Sequence, residues 1–149
     1  MILSKSVVLH KFKGNYSAQE IQEIGYRYIR KAFVRHDIFG KVAPFCHTAD
    51  GIPVFYKSTF YKLICREDIS TAYRVVESSR VQRLNWIVPI ISGVAKNIKM
   101  KDDGTKRRYF IKPLKYLIVL DRDKDGFRLV SAYWVTEQWE MDRIRRQMK

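Results

Sequence analysis

Apolar side chains recur at Ile21, Ile24, Tyr28, Ala32 and Phe33, with Glu20, Glu23, Arg27, Arg30 and Lys31 between them. That spacing makes one face of an α-helix, and Ser17-Ala18-Gln19-Glu20 supplies a capping box to start it. The pattern predicts a helix from Ser17 to near Phe39-Gly40, then a loop carrying Pro44, Cys46-His47 and Asp50-Gly51. Residues 52–56, "IPVFY", read as a short strand. Ser58 is placed to cap a short helix running to Leu63. Asp68 or Ser70 is placed to cap a longer one, with Ile69, Tyr73, Val76 and Leu84 turned inward. Residues 85–89, "NWIVP", break that helix and restart a brief apolar one ending at Ser92-Gly93.

Beyond Gly93 the period changes. "NIKMK", "TKRRYFI", "KYLIVLD" and "FRLVSAYWV" read as four strands, with turns at residues 102–104, at Pro113 and at residues 121–126. Thr136 then caps a last helix with Glu137 and Glu140 in its first turn and Arg143, Arg145 and Arg146 in its last, as the helix dipole favours. Helices, an antiparallel meander and a closing helix make an α+β fold. It is expected as a single domain over residues 1–149, with N-terminal helices on a sheet of about four strands. The first 13 residues carry a brief apolar patch and read as a strand rather than a leader. No apolar run approaches the roughly 18–20 residues of a membrane span.

Asp121, Asp123 and Asp125, followed by Gly126, look like the start of a calcium-binding loop. Such a loop needs a bidentate Glu at its twelfth position, which here is Ala132, and it needs helical flanks. Both flanks alternate like strands, so the acids are expected in a hairpin turn, with Gly126 taking a conformation closed to other residues. Cys46 and Cys65 are expected as reduced thiols. Together with His36 and His47 they lack the paired spacing of a zinc site. No metal or cofactor is expected, and the compartment reads as cytoplasmic.

Charge changes the picture most. Lys and Arg total 29 against 15 acids, a formal net charge of +14. The excess points to a polyanionic partner, nucleic acid first. Residues 96–115 hold eight cations against Asp102 and Asp103. In a strand, Lys106, Arg108 and Phe110 share one face and Arg107, Tyr109 and Ile111 the other. Lys106, Arg107, Arg108, Tyr109 and Lys112 are therefore candidate nucleic-acid contacts, with the Tyr109 ring able to stack a base. The plainer alternative is a charged strand that discourages aggregation.

A second constellation joins "RVQRLNWIVP", residues 80–89, to "VSAY", residues 130–133. A helix ending R-x-x-R-[IL]-x-W-[IV]-x-P, a basic hairpin and an [LV]-[ST]-A-Y strand leading into a charged helix resemble the small nucleases of bacterial toxins and phages. These are the superfamily gathering barnase-like, EndoU-like, colicin-type and RelE-like nucleases. The likeness covers roughly residues 51–149. In the helix after the "IPV" strand, where members carry a polar residue or histidine, this chain offers Thr59.

The resemblance implies metal-independent RNA cleavage by attack of the 2′-hydroxyl on the adjacent phosphate. Arg80 and Arg83 would grip the phosphate bidentately, and Ser131 and Tyr133 would orient it or relay a proton. His47, in a loop ahead of the sheet, is the candidate base. For Arg80 and Arg83 the alternative is a salt-bridged helix face, with Glu77 as partner. Two other functions stay open: a non-catalytic nucleic-acid-binding module, and a basic protein-binding inhibitor from a mobile element. The expected partners are RNA and a cognate inhibitor or immunity protein, with no membrane.

Overall fold

The computed structural model describes residues 16–57, 61–67 and 74–149. The expected N-terminal strand, the caps at Ser58, Asp68 and Ser70, and Thr59 lie outside them. Helix α1 (Ala18–Ala32) begins at the expected box: the Ser17 hydroxyl accepts from Glu20 N–H at 3.1 Å, and the Glu20 carboxylate accepts from Ser17 N–H at 3.2 Å. It stops at Ala32, a full turn or more before Gly40. The Asp37 carboxylate takes the N–H groups of Phe39 and Lys41, which gives the backbone an alternative to helix.

Strand β1 (Cys46–His47) pairs antiparallel with β2 (Pro53–Phe55). After α2 (Tyr61–Ile64), the expected long helix is replaced by a two-stranded ribbon of β3 (Cys65–Glu67) and β4 (Arg74–Val76). The helical spacing of Val76 and Leu84 is thus accidental; the adjacent β-branched pair Val75-Val76 is the better guide. Only the short α3 (Ser78–Val81) and a 3₁₀ turn (Leu84–Trp86) remain of it. Helix α4 (Ile87–Ile91) tolerates Pro89 in its first turn, where backbone N–H groups have no intrahelical partner anyway. It ends at Gly93, whose φ is +80°.

Strands β5 (Lys99–Asp102), β6 (Lys106–Ile111), β7 (Tyr116–Asp123) and β8 (Gly126–Trp134) form the expected meander, followed by α5 (Gln138–Gln147). The fold is α+β, but the sheet has six strands in the order β1-β2-β8-β7-β6-β5, not about four. The extra two enter through β2, which runs parallel to β8 and pairs Val54 with Phe127 and Phe55 with Arg128. Nothing local in a three-residue strand announces that partner.

One sheet face carries Phe127, Leu129, Ala132, Tyr116, Ile118, Leu120 and Ile111 into the main core with Ile29, Leu63, Ile64, Val81, Leu84, Ile87 and Ile91. Burying each large aliphatic there contributes about 1.5–3 kcal/mol. The other face holds a smaller cluster of Phe110, Leu117 and Val135 beneath Ile144 of α5 and Met148 at its C-terminal cap.

The acids of the β7–β8 turn do not converge. Asp121 meets Lys106 and Arg128, and Asp123 meets Lys57. Gly126 sits at φ +147°, and a Cβ there would lie 2.3 Å from the Pro53 carbonyl oxygen. Gly126→Ala should therefore push β2 off β8 and destabilise by about 1–3 kcal/mol in chemical denaturation. Gly104→Ala, with φ +91° but open space around it, should cost about 1–2 kcal/mol from backbone strain alone, less than Gly126→Ala. Equal losses for the two would remove the steric explanation.

Candidate functional site

Residues directly opposite in an antiparallel ladder share a face, so three rows cross the face of the sheet away from the main core. The first runs Lys99, Phe110, Leu117, Tyr133; the second Lys101, Arg108, Val119, Ser131; the third Lys106, Asp121, Arg128. Helix α5 covers the middle of the first row. The side chains of Lys101, Arg108, Ser131, Lys106 and Arg128 remain partly exposed beside it. Asp121 is the only acid in these rows, and it is shared by Lys106 and Arg128. Arg108 reaches Asp103 at 3.3 Å, while Lys99, Lys101 and Lys112 make no ion pair among the described residues.

Beside the first row, Asn97, Lys99, Lys112 and Arg145 rim a cleft of about 170 Å³ floored by Phe110, Met141 and Met148. A strongly cationic surface with an apolar cleft at its side suits a chain of phosphates carrying flat bases.

The pairing of β2 with β8 ends at Arg128, and α2 and α3 pack against β8. This brings part of the expected constellation together. The Arg80 guanidinium lies 4.9 Å from the centre of the Tyr133 ring. Its Nε donates to Glu77 Oε2 at 3.0 Å, and the other Glu77 oxygen accepts from the Ser79 hydroxyl at 3.0 Å. The terminal nitrogens of Arg80 make no hydrogen bond among the described residues, and its side chain is 16% exposed. Burial, and then the Glu140 carboxylate, hold the Tyr133 phenol above its ordinary range, so it stays protonated. Ser131 lies two residues before Tyr133 on the same face.

Arg83 does not join Arg80. The expected continuous helix breaks after Val81, so the three-residue spacing no longer places the two side by side. The Arg83 guanidinium instead lies 4.3 Å from the Trp134 ring centre and 5.3 Å from that of Trp86, and its Nη1 donates to the Ser79 carbonyl at 2.9 Å. Trp134 packs with the main core whereas Tyr133 packs with the α5 cluster, so the two guanidinium groups rest on rings of different clusters. Burial pulls the Arg83 pKa down from its ordinary value.

His47 is exposed but remote. It pairs with Pro53, next to Val54 and hence level with the start of β8. At about 3.3 Å per residue, that is roughly 15–20 Å along the strand from Ser131 and Tyr133. It is not within reach as their base.

The basic strand splits as alternation requires. Lys106 and Arg108 face the open side, and Lys112 is exposed at the strand's end. Arg107 and Tyr109 are each only 5% exposed on the core side. Arg107 grips Asp50 through both terminal nitrogens, at 2.8 and 3.1 Å, and Asp102 through Nε at 3.0 Å. Arg107 and Tyr109 are thus both buried away from the open side, where they line a cleft with Asp50, Ile98 and Met100. Glu77, expected as an ion-pair partner of the arginines, is among the described residues the one carboxylate that pairs with Arg80.

No protein-family model matches the chain, no curated protein matches its sequence, and no solved structure matches it. Among the described residues no three His, Cys, Asp or Glu side chains gather as a metal site, and no helix is long and apolar enough to cross a membrane.

Two measurements separate the structural arginines from the available one. Hydrogen bonds from Arg107 hold the Asp50 carboxyl well below its usual range, and the Gly104 N–H followed by Arg107 holds Asp102 down. A depressed folded pKa stabilises above the unfolded value near 4 and loses that contribution as pH falls below it. Unfolding midpoints should therefore drop below about pH 4 in the wild type, and less so in Asp50→Asn. Because Asp50 is half exposed, the difference should stay within about 1 kcal/mol.

Arg83→Ala should cost about 1–2 kcal/mol by removing a partly desolvated cation from two rings. Arg80→Ala should cost less. A larger loss for Arg80 would mark it as the structural residue of the pair.

Proposed function

We propose that the protein acts on RNA as a metal-independent endoribonuclease, with the RNA backbone lying on the open cationic sheet face and the reacting phosphate at Arg80. The single observation that carries this reading is the contact of Arg80 with Tyr133 and Glu77 in one partly exposed group. Cleavage by the 2′-hydroxyl needs a group to take its proton, cations to stabilise the phosphorane, and an acid to protonate the departing 5′-oxygen. In this reading the Glu77 carboxylate takes the proton and the free Arg80 fork holds the phosphate oxygens. The neutral Tyr133 phenol donates to the leaving oxygen or fixes its position, and Ser131 orients the neighbouring phosphate. Lys101, Lys106, Arg108 and Arg128 supply the salt-sensitive hold on flanking phosphates.

A second reading, RNA binding without cleavage, is favoured by the distance of His47 and by the ion pair that Glu77 makes with Arg80.

Incubation of the purified protein with total RNA in EDTA distinguishes the two. The nuclease reading expects fragments with cyclic-phosphate and 5′-hydroxyl ends. Glu77→Gln, Arg80→Ala and Tyr133→Phe should each slow their appearance by about 100-fold or more, with the folded state retained. RNA that is retained but intact leaves the binding reading alone. RNA that is neither cut nor retained at low salt removes nucleic acid as the partner.

A further inference from the structure

Between α1 and β1 the chain makes a small, internally braced projection over residues 35–43. His36 and Val42 form an antiparallel bridge. Ala43 N–H donates to the Arg35 carbonyl at 2.9 Å, Asp37 N–H to that of Lys41 at 2.8 Å, and Gly40 N–H to that of Asp37 at 3.0 Å. One Asp37 carboxylate oxygen takes Phe39 N–H at 2.8 Å and Lys41 N–H at 3.0 Å. Gly40 closes the turn at φ +79°, where a side chain would be strained. The consequence is a fixed tip on which Ile38 is 92% and Phe39 81% exposed, the two most exposed large apolar residues among those described.

Scattered apolar residues on a surface need no explanation, but two adjacent ones held outward on a braced turn do. Neither contributes to either apolar cluster. Two side chains are too few for the buried centre of a stable protein interface, which occupies about 800 Å² on each partner. Their flanks are cationic. Arg35 and Lys41 border the tip. Arg35 Nη1 donates to the Lys31 and Val34 carbonyls at the end of α1, whereas the Lys41 ammonium makes no ion pair among the described residues. The nearby carboxylate of Asp37 is engaged by the backbone of the turn itself. A thin apolar edge between cations, on a chain of net charge +14, has the chemistry of a wedge beside nucleobases. The ring and the branched side chain replace stacking while the cations hold the adjoining phosphates.

We propose that Ile38 and Phe39 form a wedge that inserts against unstacked bases of a bound single strand or bulge, with Lys41 on a flanking phosphate and the Arg35 charge beside it. The inference rests on the reading of RNA as the partner. The projection leads into β1, at the margin of the sheet opposite β5. It therefore adds a contact separate from Arg80 and extends the footprint of the bound strand beyond the cationic rows.

The test compares wild type with the Ile38→Ser/Phe39→Ser double variant. Both positions are exposed, so the unfolding midpoint should be unchanged. Binding of a short single-stranded RNA and of a hairpin with a 2-aminopurine bulge is followed by anisotropy across about 50–200 mM salt. The variant is expected to lose roughly ten-fold in affinity at every salt, the scale of one lost base stack. The slope of log K against log salt should stay the same, because no phosphate contact is removed. The 2-aminopurine signal of unstacking should fall with it, and Phe39→Trp should keep both. Lys41→Gln should flatten the slope instead, by about 0.7–0.9.

A double variant that binds both RNAs as the wild type does overturns the wedge and leaves RNA binding standing. A wild type that binds neither RNA removes the partner and the wedge together. Wild-type binding to phosphatidylglycerol vesicles that is lost in the double variant, with RNA binding unaltered, assigns the tip to a lipid surface and overturns the proposal.

Discussion

The length of β2 decides what the candidate site can be. Its three residues cover β8 only as far as Arg128, and the helical segment takes up position against the rest of that strand. A strand buried on both edges by partners has no room for side chains arriving from the side. Because β8 is covered by helices there, Arg80 reaches Tyr133 while Arg83 turns to Trp134. Neighbouring residues of one strand point in opposite directions, and so two arginines three apart in sequence rest on rings of different apolar clusters. Gly126 maintains this arrangement, since only a residue without Cβ lets the Pro53 carbonyl approach.

The same alternation sorts the cations of β6. Arg107 is turned inward and becomes tolerable there through Asp50 and Asp102, a pairing that tethers the loop before β2 to the edge of the meander. Lys106 and Arg108 are turned outward into rows where positive charge outnumbers negative. An inward cation must satisfy its donors with protein carboxylates. An outward one shares its charge with exposed carboxylates, as Lys106 does with Asp121 and Arg108 with Asp103. The net charge of the chain therefore overstates the positive field of this strand.

Arg80 stands between these cases. It is paired on one nitrogen and stacked on a ring, with a largely buried side chain whose terminal nitrogens make no hydrogen bond among the described residues. Glu77, Tyr133 and Glu140 link α3, β8 and α5 through that one guanidinium and its neighbour. The braced turn at Ile38 and Phe39 works by a different principle, fixing apolar groups where solvent would otherwise disfavour them.

Local sequence by itself determined much of this protein. The box at Ser17, the period-2 alternation of the four strands after Gly93, the tight turn before Gly126, the arrest at Gly93 and the acidic start and basic end of α5 all follow from interactions spanning a few residues. The inward and outward sorting of residues 106–111 is equally local, although its chemical meaning is not. Tertiary structure alone decided that Cys46-His47 and Pro53–Phe55 join the sheet, that residues 74–76 extend instead of coiling, that Arg107 meets Asp50, and that Arg83 leaves Arg80 for two tryptophans. The β2–β8 pairing, the Arg107–Asp50 contact and the Arg83–Trp134 contact depend on partners about 50 or more residues away, and the β1–β2 and β3–β4 ribbons on pairings 6–11 residues apart that side-chain periodicity does not register. Spacing along the chain carries no information about either.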